Sequence, residues 1–227
     1  MLKPFIEEKL YPHRFDYFFL SQVAILFGSL VIPVEIFEDK VFPFVLLLNL
    51  LCGILVISKK TFLAKLFFVL FLITFVTQGL TTSRTISDFV EVDYARLGMY
   101  FIFHIVVAFQ IIRQIWLIDE VNQKVIIGLI SGYISIGLLG FFMFLIIELI
   151  SPGSYGGLGI TEIEPGKTMD SILYYSYITL LTIGYGEIYP ISSVAQKASI
   201  LLGLMGQFYL VIITAVVIEK YIRYRAR

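Results

Sequence analysis

Six apolar stretches, each near the length of a bilayer crossing, limit what this chain can fold into more than any other feature. A helix needs about 20 mostly apolar residues to cross the hydrocarbon core, because each residue advances only ~1.5 Å. The candidate spans are Tyr17–Val34, Val41–Ser58, Phe62–Leu80, Leu97–Leu117, Val125–Ile150 and Ser193–Ile222. Between them lies too little polar surface for a soluble domain: 59% of the residues are apolar, 15% are charged, and the mean hydropathy is +0.91. The expected fold is therefore all-α and integral to the membrane. The connections "EIFEDK", "KKT" and "IDEVNQ" are short, so the helices they join should pack as antiparallel hairpins.

Basic residues orient the spans. With the N-terminus cytoplasmic, only Lys40, Arg84, Arg96, Lys167 and Lys197 of the 17 basic residues fall on the outer side. Both termini are accordingly expected in the cytoplasm of a multi-pass cell-membrane protein. Zero net charge leaves no footprint for nucleic acid. Cys52, the single cysteine, lies in an apolar run and reads as a small core residue. The N-terminal Glu7, Glu8, Lys9, His13, Arg14 and Asp16 interrupt the apolar residues too soon for a cleavable signal.

The outer segment from Ser151 to Ser192 has three parts. "SPGSYGGLGITEIEPGK" is a Gly- and Pro-rich turret. "TMDSILYYSYITLL" is a short helix with Thr168 as its expected cap and Asp170 in its first turn. Such a helix cannot cross, so it must re-enter, and the backbone after it must be buried in protein or line a water-filled path. That backbone is "TIGYGE". Gly184 and Gly186 tolerate positive φ, which lets successive carbonyls point the same way. The carbonyls of Thr182, Ile183, Gly184 and Tyr185, with the Thr182 hydroxyl, would form a column of hard oxygen ligands, and copies around an axis would replace the water shell of a cation.

These residues carry a resemblance. Val125–Arg227, with "YYSYITLLTIGYGEIYP" followed by "LLGLMGQFYLVIITAVV", resembles the pore module of tetrameric potassium channels: outer helix, pore helix, filter and inner helix. The resemblance covers a little under half the chain. It implies a homotetramer of six-helix subunits, each with a re-entrant pore helix, passing K+ at Thr182, Ile183, Gly184, Tyr185 and Gly186. Relatives end the filter in Asp where this chain has Glu187, and the matching aromatic support is Tyr175; the buried Glu of some relatives is replaced by Ile178. Tyr189 stands where an aromatic ring in some relatives binds external tetraethylammonium. Gly206 is the candidate inner-helix hinge, with close helix packing as its plainer reading, and Gly203 reads as packing. Gln207, polar at mid-membrane depth, should face a partner helix or a cavity.

The division this implies is a cytoplasmic segment 1–16, a four-helix peripheral domain 17–117 and a pore domain 125–227. The fourth helix carries only Arg96 and Arg113, with His104 on the third-residue frame between them, so no arginine repeat is present to sense voltage. Both arginines read as interfacial anchors and His104 as a packing residue. The closing "EKYIRYRAR" leaves no room for a cytoplasmic ligand domain, and its basic residues should meet anionic lipid headgroups. Regulation by a separate protein stays open. No catalytic or metal-ligand constellation is evident and no cofactor is expected beyond permeant K+. Two other classes compete: a non-conducting subunit of another channel, and a cation transporter using the re-entrant loop as its ion site.

Overall fold

A computed structural model describes residues 9–59, 61–82, 90–117, 123–158 and 165–225. The principal helices are α1 (Arg14–Phe27), α2 (Phe42–Ile57), α3 (Thr61–Thr82), α4 (Val90–Leu117), α5 (Gln123–Ile150), α6 (Pro165–Leu180) and α7 (Ser193–Arg225), with two short strands, β1 (Tyr155–Gly156) and β2 (Tyr189–Pro190). Among the described residues α3, α4, α5 and α7 contain stretches long and apolar enough to cross a membrane. α2 is apolar but shorter.

The first expected span differs from the structure. Its α-helix ends at Phe27 and continues only as a 3-10 turn over Gly28–Leu30. Gly28 is pressed on the Phe37 ring so closely that a Cβ there would lie 2.2 Å from Cε2, and Pro33, which cannot donate to a helix, follows. The "EIFEDK" connection, expected as a loop, is instead wound: one α-helical turn, Val34–Ile36, passes into a π-helical stretch, Phe37–Val41, that runs into α2. The connection thus adds length to the second helix rather than separating it from the first.

The chain divides into two compact units, Met1–Ile118 with Asn122–Gly132, and Asp119–Val121 with Tyr133–Arg227. In the first, α1, α2 and α4 bury Phe18, Ile25, Leu50, Ile57, Phe103 and Ile111. The polar donors of this interior are bonded where side chains meet: Asn49 Nδ2 donates to Ser21 Oγ at 2.9 Å, Ser21 Oγ to the Phe18 carbonyl at 2.7 Å, and Gln22 Nε2 to the Ser131 carbonyl at 3.1 Å, while Asn49 Oδ1 is buried without a partner among the described residues. The donor bonds are what burial away from water demands. His104 is fully buried beside Phe103, ring centroids 5.3 Å apart.

In the second unit α5, α6 and α7 enclose Phe141, Phe142, Phe144, Ile172, Leu180 and Leu202. A three-ring cluster of Phe144, Tyr155 and Tyr175, with centroids 5.1–5.5 Å apart, joins α5, β1 and α6. Each such pair is worth about 0.5–1.5 kcal/mol beyond its buried area. α7 buries Ala195, Ala198, Leu202, Gly206, Tyr209 and Ile213, spaced by three or four residues along one face. Its remaining surface is exposed and largely apolar, including Ile200, Leu204, Phe208 and Val211.

Candidate functional site

Among the described residues α6 already runs from Pro165, so Thr168 lies within the helix rather than capping it. Polar bonds seat the helix. Ser176 Oγ donates to the Gly137 carbonyl at 2.6 Å and the Tyr177 hydroxyl to the Ile134 carbonyl at 2.8 Å, both on α5. Near its end, the Leu180 carbonyl accepts the Tyr133 hydroxyl at 3.2 Å. On the other side the Tyr175 hydroxyl meets Ser199 Oγ of α7 at 2.8 Å. Ser199 gives its own proton to the Ala195 carbonyl, so Tyr175 is the donor of that pair.

The chain then leaves the helix through two overlapping turns. Thr182 N donates to the Thr179 carbonyl at 3.1 Å, while the Ile178 carbonyl receives Ile183 N at 2.9 Å and Gly184 N at 3.3 Å. From here the backbone alternates in sign: φ is +58° at Thr182, +56° at Gly184 and +92° at Gly186, with Ile183 and Tyr185 on the negative side. Glycine adopts the left-handed region freely. Threonine does not, and a β-branched residue there costs on the order of 1–2 kcal/mol, a strain kept only where the surroundings impose it. Among the described residues no hydrogen bond ends on a carbonyl from Thr182 to Gly186. All five residues are exposed in the single chain, Tyr185 by 74%.

The expected bond from Tyr175 to Glu187 is not the one formed. Tyr175 is buried and bonded to Ser199. Its neighbour Tyr174, on the exposed side of α6, makes the side-chain hydrogen bond to Glu187, which holds the Tyr174 phenol up to about 12. The helical period carried this signal. Asp170, Tyr174 and Leu181 form one exposed stripe at spacings of four and seven, whereas Tyr175 falls with Ile172 and Ile178 on the buried side.

Beyond Glu187 the chain is tied to the turret. β1 and β2 pair antiparallel, Tyr155 opposite Pro190 and Gly156 opposite Tyr189. The Ser154 carbonyl accepts Ile191 N at 2.7 Å and Ser192 N at 3.2 Å. Gly157, at φ +81°, lies so close to the Glu187 carbonyl that a Cβ would sit 1.7 Å from its oxygen. Glu148, near the end of α5, fixes the turret from the other side: Oε1 accepts Gly153 N at 2.7 Å and Oε2 accepts Tyr155 N at 3.1 Å. Sequence reading gave Glu148 no part, because an acid at the end of a span looks like any interfacial charge.

Gly206 is buried in the middle of an unbroken α7, where a Cβ would come 2.7 Å from Leu180 Cδ1 and 2.9 Å from the Leu180 carbonyl oxygen. Gly206 thus packs closely against the end of α6 in this conformation. At Gly203 a Cβ would meet nothing within 4 Å, so packing inside the chain does not account for it. Gln207 is exposed, off the buried face of α7, and Tyr189 remains half exposed with its ring over Gly156. Arg96 bonds to Gln78 and Arg113 is exposed. Among the described residues no cluster of His, Cys, Asp or Glu is fit to hold a metal ion.

Residues 128–223 match the family model described as "Ion channel". No curated protein and no solved structure matches the chain. The matched stretch contains most of α5, the turret, α6, the Thr182–Gly186 loop and nearly all of α7.

Proposed function

From the premise that residues 128–223 carry an ion-channel domain, we propose that the chain is one subunit of a homotetrameric, potassium-selective channel. Its filter is Thr182, Ile183, Gly184, Tyr185 and Gly186. The observation that carries this reading is the alternation of φ at Thr182, Gly184 and Gly186 in a loop whose carbonyls accept no hydrogen bond from the described residues. Alternating handedness turns successive carbonyls to one side. Unpaired carbonyls at membrane depth cost several kcal/mol each unless something replaces water. Four loops around an axis put a dehydrated cation in that place, and rings of carbonyl dipoles favour K+ over Na+.

The tetramer also accounts for α7. Its exposed apolar surface would be shared between lipid and the neighbouring inner helices, and Gln207 would face the water-filled cavity below the filter. Glu187, held by Tyr174, supplies four carboxylates that concentrate cations at the mouth, and Tyr189 rings it with aromatic faces. The basic bias places both termini in the cytoplasm of the cell membrane. Arg96 and Arg113 are anchors, so voltage does not open the pore strongly.

Purified protein in liposomes tests the reading directly. Rb+ and K+ uptake down an imposed electrochemical gradient is expected, Na+ uptake is expected to be far slower, and Gly184→Ala should abolish flux because alanine resists φ +56°. Equal K+ and Na+ permeability would overturn the filter assignment. An inactive wild-type chain that folds and forms tetramers would favour the non-conducting subunit.

A further inference from the structure

The first unit carries two cations on one aromatic ring. The Arg14 guanidinium carbon lies 4.0 Å from the Tyr11 ring centroid and 4.3 Å from that of Phe15. Lys59 Nζ lies 5.0 Å from the same Tyr11 ring. Arg14 is fixed in place: Nε donates to Gln114 Oε1 at 3.1 Å and Nη1 to the Tyr11 carbonyl at 3.0 Å. Gln114 is itself held, its Nε2 donating to the Val56 carbonyl at 2.9 Å. Nη2 has no partner among the described residues. Nor does either cation pair with an acid among the described residues. Half-burial of the guanidinium lowers its basicity, which marks the position as one that an anion would stabilise.

The place in the fold names the anion. Tyr11 lies in the 3-10 turn before α1 and Arg14 opens that helix, Lys59 follows the end of α2, and Gln114 lies in the last described turn of α4, so three helix ends meet here. Trp116 and Leu117 lie next to Gln114 and are exposed by 57% and 71%. An exposed Trp beside basic residues at a helix end is the pattern of the headgroup layer. We propose that Tyr11, Arg14 and Lys59 form a binding site for the phosphate of an anionic lipid headgroup. The fork of Arg14 would take the phosphate and Lys59 its remaining charge.

Trp116 is the chain's single tryptophan, and it reports on this site without reference to ion flux. The protein would be reconstituted in phosphatidylcholine vesicles with increasing brominated phosphatidylglycerol, against brominated phosphatidylcholine as reference. The anionic lipid is expected to quench Trp116 at lower mole fraction. Lys59→Gln should weaken that preference about fivefold, the loss of one cation's attraction, and adding Arg14→Gln should remove it. Lys65→Gln, which deletes an exposed cation away from the ring, should leave the preference nearly intact. Equal quenching by the two lipids, or equal losses from Lys59→Gln and Lys65→Gln, would overturn the site. Displacement of the brominated lipid by millimolar inorganic phosphate would show a site for free phosphate and refute the lipid assignment.

Discussion

Glu148 offers a sharp test of how the outer mouth is held, because its two oxygens bond amides in different surroundings. Oε2 receives the amide of Tyr155, a residue 1% exposed, while Oε1 receives that of Gly153, which is exposed. In Glu148→Ala both bonds go. Water can replace the partner of Gly153, but the Tyr155 amide is left buried without one, at a cost of about 2 kcal/mol. In Glu148→Gln the side-chain oxygen can stay on Tyr155 while the amide nitrogen turns toward Gly153, whose N–H finds water. Amide hydrogen exchange of the 151–158 segment in detergent or nanodiscs separates the two cases. The Tyr155 amide should exchange roughly thirtyfold faster in Glu148→Ala, the equivalent of about 2 kcal/mol of local opening, and change far less in Glu148→Gln. Equal acceleration in the two variants would refute the reasoning. So would an Ala variant that exchanges like the parent.

Gly206→Ala should destabilise the fold by about 1–3 kcal/mol through overpacking against Leu180, read as a lower midpoint of thermal unfolding. A variant as stable as the parent would show that the helices have room to part. External tetraethylammonium should block the current, and Tyr189→Val should weaken that block by removing the aromatic faces; equal block in both would place the ring away from the axis. Arg96→Gln and Arg113→Gln should leave the slope of open probability against voltage nearly unchanged. Even half-way movement of Arg113 in four subunits supplies only about two charges, or roughly 4.6 kcal/mol per 100 mV, well below the tens of kcal/mol a sensor uses. A steep parent curve that flattens in either variant would overturn that reading.

The order of elements around the candidate site was legible in the sequence because it rests on strong local signals: a long apolar run, a helix too short to cross, paired glycines, and a second long run. The structure has α5, α6 and α7 at those places. What escaped was set by contacts between distant residues. The first span was read as longer than its α-helix because nothing local shows that Gly28 lies against Phe37. Thr182 joins the two glycines at positive φ although its own preference is the opposite, so only the turns anchored on the Thr179 and Ile178 carbonyls give it away. Tyr174 takes the place expected of Tyr175 for a different, local reason: the helical period sets Tyr174 on the exposed side of α6 with Asp170, one residue before the position the resemblance implies.

The β1–β2 pair has a consequence for how much change the turret can accept. By joining Tyr155 to Pro190 it brackets a stretch that contains α6 and the Thr182–Gly186 segment, so the connection from Leu158 to Pro165 runs between two fixed ends. Closing such a loop costs entropy that grows only with the logarithm of its length, about 0.6 kcal/mol for a doubling. Residues added between Leu158 and Pro165 therefore lengthen the loop without pulling on Gly157 or Glu187. That makes the interval a suitable position for an epitope or a fluorescent tag.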